Sequence, residues 1–170
     1  RELLIRWFEY GTFCPVMRLH GYREPLKAPM GSEGGAACVS GADNEVWSFG
    51  EEAYEICRKY LALREQMKPY ITRMMKKAHE KGTPPMRPLF YDFPEDGLCW
   101  EIENEYLFGD ELLIAPVLYE KQRQREVYLP KGTKWTDIRT KEKYEGGQTI
   151  LAEAPLDALP VYCRAGKACR

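Results

Sequence analysis

The sequence lacks long hydrophobic runs, an excess of charge of either sign, and closely spaced cysteines. Its longest apolar stretch, around residues 112–118, is far shorter than the roughly 20 residues of a membrane-spanning helix, so we expect no membrane partner. The 25 basic and 26 acidic residues leave a net charge of −1. Because nucleic-acid binding needs a concentration of positive charge, this balance also argues against nucleic acid as a partner.

The six cysteines are scattered, and none of them forms a C-x-x-C pair; they stand at positions 14, 38, 57, 99, 163 and 169. A zinc site or a disulfide framework requires closer or more regular spacing. We therefore expect small buried thiols in a reducing compartment, which predicts a cytoplasmic protein. No metal site is predicted.

What the chain does contain is two halves with different patterns. Residues 1–84 show the pattern of a helix, a short strand, a Gly- and Pro-rich loop and a long helix, whereas residues 85–170 consist of short segments rich in β-forming residues between Pro and Gly turns. Strands this short at this spacing are typical of a small antiparallel β-sandwich. The predicted fold class is therefore α+β.

The long helix is predicted over residues 51–81. Its apolar residues recur at intervals of three and four, which gives one core-facing stripe. Ser48 and Glu51 have the S-x-x-E spacing of a capping box and are expected to start the helix. Pro69 has no amide hydrogen, so a kink or break is expected near Lys68. His79, in the last turn, is expected to be exposed.

Three short motifs near the N-terminus resemble glycoside hydrolase family 31, the retaining α-glucosidases and α-xylosidases. They are RWFEYG at 6–11, FCP at 13–15 and RLHG at 18–21. Further segments follow in the order that this family uses, and they lie at 47–50, 59–64, 86–90, 92–96, 113–117, 127–130 and 159–161. The resemblance covers nearly the whole chain, which makes it more specific than any single motif.

The resemblance implies that residues 1–84 are the tail of a (β/α)8 catalytic barrel and that residues 85–170 are the proximal C-terminal β-sandwich. It also implies retaining hydrolysis of terminal α-linked glucose or xylose from an oligosaccharide, without a cofactor. In this family the nucleophile and the acid/base are aspartates in W-x-D-M-N-E-like and W-x-G-D-like segments, and neither segment occurs here. The isolated chain is therefore expected to be inactive, and to self-associate through apolar surface that a complete barrel would cover.

His20 is the main candidate for a substrate contact. It follows a predicted strand at 16–19, and the loops at the C-terminal ends of barrel strands form the substrate-binding face. The resemblance implies that its imidazole hydrogen-bonds sugar hydroxyls; the alternative is a histidine that ties down its own loop. Arg18 is expected to form a structural ion pair, and Arg23 to lie at the rim of the site.

Trp47 and Phe49 are the other candidates for substrate binding. The C–H faces of a pyranose ring pack well on aromatic rings, so either side chain could form a platform for a sugar. The alternative is that both pack in the core beside the start of the long helix.

The acidic segment WEIENE at 100–105 superficially echoes the family's nucleophile motif, with Glu where Asp is required. We interpret it as a surface acid cluster, because acidic residues are mostly solvated. Asp92, Glu95 and Asp96 are interpreted as turn residues. Two other functions remain open: a non-catalytic carbohydrate-binding or structural β-sandwich module, and a hydrolase that uses Glu101 or Glu103 with Asp96.

Overall fold

The computed structural model describes residues 1–19, 29–30, 38–39 and 45–167. Within these residues the α-helices are α1 (Glu2–Thr12), α2 (Glu51–Gln66), α3 (Lys68–Lys81) and the short α4 (Leu89–Asp92). Two 3₁₀ helices, Val46–Phe49 and Gly97–Trp100, precede α2 and follow α4. The helices therefore lie mainly in the first half of the chain, as predicted.

The apolar stripe of α2 is buried against α1. Ile5 and Phe8 of α1 meet Ala53, Ile56 and Cys57 of α2, and all five are nearly inaccessible to solvent. Apolar side chains three and four residues apart share one face of a helix, which explains why this stripe points inward. The pairing of these two helices forms one half of the main core.

The predicted break near Lys68 is confirmed. Helix α2 ends at Gln66 and α3 begins at Lys68, with Pro69 in the first turn of α3, where a missing amide hydrogen costs nothing. The predicted capping box, however, is wrong. Gly50 is the residue before α2, and the Ser48 hydroxyl instead donates to Glu45 Oε2 at 3.0 Å, because Ser48 belongs to the preceding 3₁₀ helix.

Ten short strands are described: β1 (Pro29–Met30), β2 (Cys38–Val39), β3 (Met86–Arg87), β4 (Tyr106–Phe108), β5 (Leu112–Ile114), β6 (Gln124–Leu129), β7 (Lys134–Asp137), β8 (Lys143–Glu145), β9 (Gln148–Glu153) and β10 (Val161–Arg164). Strands β3–β4–β5–β10–β7–β8 form an antiparallel six-stranded sheet in that order. β6 and β9 form a second layer in antiparallel register, from Gln124 opposite Glu153 to Leu129 opposite Gln148.

The six-stranded sheet lies between two apolar layers. Phe108, Ile114 and Val161 pack in the cluster that contains α1 and α2, whereas Leu113 and Tyr162 pack against the paired strands β6 and β9. Successive residues of a strand point to opposite faces, so neighbours in the same strand join different cores. The predicted antiparallel sandwich is present, and the helices cover its outer face.

Two predicted strands differ from the structure. Residues 86–93 are one of the segments whose β-forming residues predict a strand, but β3 ends at Arg87 and α4 follows. The strand predicted at 16–19 is wrong within the described residues, because no strand pairs with this segment, and Val16 is 76% exposed. A strand needs a neighbour for its backbone hydrogen bonds, and hydrophobicity alone does not supply one.

Cys14, Cys57 and Cys99 are free and buried, as predicted. The expectation of a free thiol is wrong for Cys163, which is disulfide-bonded. No helix in the described parts of the chain is long and apolar enough to cross a membrane.

Candidate functional site

The segment that leads to His20 starts at the C-terminal end of α1. Helix α1 ends at Thr12, and the chain then turns, with Phe13 buried in the core and residues 17–19 in no regular structure. Met17 packs against the main core, while Leu19 is exposed. The start of this segment is therefore anchored, and its last described residues reach the surface.

Four consecutive carbonyl groups in this segment accept hydrogen bonds from side chains elsewhere in the fold. Arg64 of α2 donates to the carbonyls of Thr12 (2.8 Å), Cys14 and Pro15 (3.0 Å). The hydroxyl of Tyr106, in β4, donates to the carbonyl of Phe13 at 3.2 Å. The segment is thus held both by the second helix and by the sandwich.

His20 and Arg23, two of the predicted substrate-binding residues, lie outside the described residues. Arg18 is exposed, and it forms no ion pair with any residue in the described part of the chain. The partner predicted for it is therefore not among these residues.

Trp47 and Phe49 share the 3₁₀ helix that packs against the start of α2. Trp47 is 67% exposed, so its ring is accessible. Phe49 is only partly exposed and packs against the main core, which matches the core-packing alternative for this residue. The two candidates therefore differ in accessibility.

Asp96 has a more specific environment than a turn residue. It is buried and accepts hydrogen bonds from the Tyr128 hydroxyl (2.7 Å) and the Lys131 amide (2.9 Å). Burial opposes its ionisation, but these hydrogen bonds outweigh that effect and lower the pKa of Asp96. Its partners lie 32 and 35 residues away in the chain. The interpretation of Asp96 as only a turn residue is therefore wrong, because its carboxylate links the turn after α4 to the end of β6.

Asp92 is likewise part of an ion pair rather than only a turn. The Arg87 guanidinium donates to both of its oxygens, at 2.9 and 3.0 Å, and the Arg87 side chain is 2% exposed. Arg87 also donates to the Gly109 carbonyl at 2.8 Å. This arrangement stabilises the junction between β3 and the β4–β5 turn.

The acid cluster at 100–105 is only partly on the surface. Glu101 and Glu103 are exposed, but Glu105 is buried, which corrects the interpretation for this residue. Its Oε1 accepts a hydrogen bond from the Tyr128 amide at 2.9 Å and lies 3.5 Å from Arg125 Nη2. Burial raises the pKa of Glu105 to about 7, against the opposing effects of Tyr128 and Arg125.

A second buried carboxyl, Glu9 of α1, is paired with Arg6 at 2.9 Å. Burial raises the pKa of Glu9 to about 7, although the hydrogen bond and charge of Arg6 act in the opposite direction. Raised carboxyl pKa values occur at catalytic sites, but they also occur in structural ion pairs. We interpret Glu9 and Glu105 as members of structural ion pairs, because each is buried beside an arginine.

The structure also has a groove of about 520 Å³ between α1 and the loops around β4 and β5. It is lined mainly by apolar and aromatic side chains, among them Leu3, Trp7, Tyr106 and Leu118. Leu3 and Trp7 are strongly exposed although they lie on a helix that is otherwise core-forming. The sequence does not predict this groove, because the helical pattern of α1 does not show which of its apolar residues stay uncovered. In the described part of the chain, no group of three or more His, Cys, Asp or Glu residues could hold a metal.

Comparison with known proteins accounts for both halves of the chain. Residues 1–74 match the family model described as the glycosyl hydrolases family 31 TIM-barrel domain, and residues 82–168 match the model of the glycosyl hydrolase family 31 C-terminal domain. Among solved structures, a family 31 alpha-xylosidase from a soil metagenome, complexed with xylose, is 49% identical with a TM-score of 0.91. That match covers 98% of this chain and 25% of the xylosidase chain.

Two curated relatives have a similar extent of match. Alpha-glucosidase 2 of Bacillus thermoamyloliquefaciens is 37% identical over 98% of this chain and 19% of its own length. The alpha-xylosidase of Saccharolobus solfataricus is 34% identical over 97% of this chain and 20% of its own length. The chain therefore spans about a fifth of the length of the curated relatives that it matches.

Proposed function

The chain belongs to glycoside hydrolase family 31, and we propose that it forms part of a retaining α-glycosidase that releases terminal α-linked glucose or xylose from an oligosaccharide. The observation that carries this proposal is the similarity across both halves, from the barrel part through the sandwich, to α-glucosidases and α-xylosidases. The substrate class follows from what these relatives act on.

His20 is the proposed sugar contact of this chain. It stands in the RLHG motif, directly after a segment whose start is held by Arg64 and Tyr106. A hydrogen bond from a histidine to a sugar hydroxyl favours hydrolysis to the extent that it strengthens in the oxocarbenium-like transition state. The catalytic carboxylates belong, in this proposal, to the longer glycosidase.

The test of this contact is His20→Ala in the full-length glycosidase. Loss of one hydrogen bond in the sugar site is expected to lower kcat/KM roughly 10- to 100-fold. The matched control is His79→Ala, which removes the other histidine of the chain from an exposed position at the end of α3. Equal kinetics in the two variants would contradict the assignment of His20.

The isolated chain is proposed to be inactive. A retaining glycosidase needs two carboxyl groups about 5–5.5 Å apart, free to act as nucleophile and acid/base. Asp92, Asp96, Glu9 and Glu105 are each engaged by arginines or backbone amides. Release of 4-nitrophenol from 4-nitrophenyl α-glucoside or α-xyloside by the purified 170-residue chain would contradict this proposal.

A carbohydrate-binding module is the second candidate function, and one observation favours it. Trp100 is 58% exposed and stacks on Phe90 with ring centroids 4.5 Å apart, which is the type of flat surface that sugars contact. This function predicts that the chain binds maltose or isomaltose in calorimetry and that Trp100→Ala abolishes the binding. If the chain does not bind these sugars and His20→Ala impairs the enzyme, the carbohydrate-binding module is excluded and the glycosidase function remains.

A further inference from the structure

Arg64 is the residue that fixes the start of the segment leading to His20. It lies in α2, about 50 residues away from its acceptors in the chain, and its two terminal nitrogens reach the carbonyls of Thr12, Cys14 and Pro15. A guanidinium is suited to binding several backbone carbonyls at once, because it is planar and carries five N–H donors.

The three carbonyls that Arg64 contacts lie at and just beyond the end of α1. The last carbonyl groups of a helix find no amide donor within the helix, and α1 has no basic residue in its last turn. A cation at the C-terminal end of a helix is also favoured by the helix dipole. Arg64 supplies both the donors and the charge from a neighbouring helix, and burial lowers its pKa without removing the charge of an arginine.

The segment that Arg64 contacts is close to His20 in the sequence. His20 is the fifth residue after Pro15, so the extended chain between these residues spans at most roughly 17 Å. Met17, packed against the main core, restricts the same segment further. The contacts of Arg64 and Met17 therefore fix the chain that leads to His20.

We infer that Arg64 is a positioning residue of the glycosidase, which holds the segment 12–15 so that His20 reaches the sugar. This inference rests on the proposed role of His20. Displacement of a substrate contact by about 1 Å can lower a rate by up to 100-fold, so the effect of Arg64 on activity is expected to be large relative to its effect on stability.

The experiment compares Arg64→Lys, His20→Ala and the double variant in the full-length glycosidase. Arg64→Lys keeps the charge and most of the stem but cannot reach three carbonyls in the same plane, so kcat/KM is expected to fall roughly 10-fold. The melting temperature is expected to fall by only a few degrees, because the three hydrogen bonds are part-buried and water can replace a lost donor. The control is Arg58→Lys on the same helix, whose exposed guanidinium pairs with Glu55. It is expected to leave both quantities unchanged.

The double variant separates positioning from a purely structural role. If Arg64 acts through His20, the double variant loses no more kcat/KM than His20→Ala alone, whereas independent roles give the product of the two losses. Multiplicative losses, or normal kinetics in Arg64→Lys beside an impaired His20→Ala, would overturn the positioning role and leave the proposed function intact. Normal kinetics in His20→Ala would overturn the proposed contact itself.

Discussion

Four buried or half-buried arginines connect parts of the molecule that are distant in the sequence. Arg6, Arg64, Arg87 and Arg125 each donate to backbone carbonyls, and three of them also pair with a carboxylate. An arginine can satisfy several carbonyls of an irregular loop at once, which a lysine cannot do in the same geometry. These residues therefore organise the loops between helices and strands.

At the residue scale, Glu105 predicts a pH dependence of stability. Its pKa is raised by burial from 4.5 to about 7 in the folded chain, so the folded state binds more protons than the unfolded state between these pH values. The free energy of unfolding is then expected to decrease as pH rises through this window, with Glu105 contributing up to about 3 kcal/mol. Urea unfolding at several pH values measures this slope.

The comparison variant for this slope is Glu105→Gln, which cannot ionise and keeps an oxygen for the Tyr128 amide. Its unfolding free energy is expected to vary less between pH 4.5 and 7 than that of the unmodified chain. Glu103→Gln, two residues away and exposed, serves as the control. Identical slopes for the Glu105→Gln variant and the unmodified chain would contradict the burial argument.

Gly109 gives a second prediction at this scale. Its φ of +65° is a left-handed conformation, and a Cβ there would collide with the hydroxyl of Tyr70, which donates to the Phe108 carbonyl at 2.6 Å. Gly109→Ala is expected to destabilise the chain by about 2–4 kcal/mol from strain and overpacking. Gly132→Ala, at φ +85° with no atom of the described residues within 4 Å of the added Cβ, should show the backbone strain alone. Equal melting temperatures for the two variants would contradict the clash.

At the scale of elements, Arg6 joins α1 to the sandwich. Its guanidinium donates to the carbonyls of Gln122 (3.1 Å) and Ala154 (2.8 Å) and pairs with Glu9. Arg6→Ala leaves the Glu9 carboxyl buried without its cation, so we expect a loss of about 3–5 kcal/mol in unfolding free energy. Arg58→Ala, which removes an exposed pair, should cost less than about 1 kcal/mol. Thermal unfolding of both variants measures the difference.

The sequence predicts the helices of this chain better than its strands. The spacing of Ile56, Cys57 and Tyr60 is a local signal that reports the buried face of α2, and Pro69 reports the break. The strand at 16–19 was wrong because a strand depends on a partner distant in the sequence. The sequence pattern does not predict β4 or β8 for the same reason, since each has only three residues and is defined by its pairing.

The candidate site shows the same limit. The resemblance to family 31 is confirmed. It could be predicted because motifs such as RLHG are contiguous in the sequence. The three carbonyls held by Arg64 could not be predicted, because nothing in the sequence near Arg64 indicates which loop its side chain reaches. The buried state of Glu105 within an otherwise exposed acidic segment was unpredictable in the same way.

For the molecule as a whole, the exposed apolar groove beside α1 predicts self-association of the isolated chain. Leu3, Trp7 and Leu118 are each more than half exposed and line the same groove, and contiguous apolar patches promote contacts between copies. Light scattering at micromolar concentration is expected to give a mass above the 19.8 kDa of one chain. Trp7→Lys should shift the mass toward the monomer.

Leu98→Lys is the control for this prediction, because Leu98 is similarly exposed but lies outside the groove. It should leave the mass unchanged. A monomeric mass for the unmodified chain would contradict self-association, and an equal effect of both substitutions would contradict the role of the groove.

The position of β10 in the sheet has a consequence for how the chain is made. β10 lies between β5 and β7, so residues 161–164 connect the β3–β4–β5 strands to the β7–β8 pair. During translation, these two groups of strands leave the ribosome first, with their inner edges unpaired. Closure of the sheet must wait for the strand that is synthesised last among them, and until then both open edges are available to chaperones or to neighbouring nascent chains.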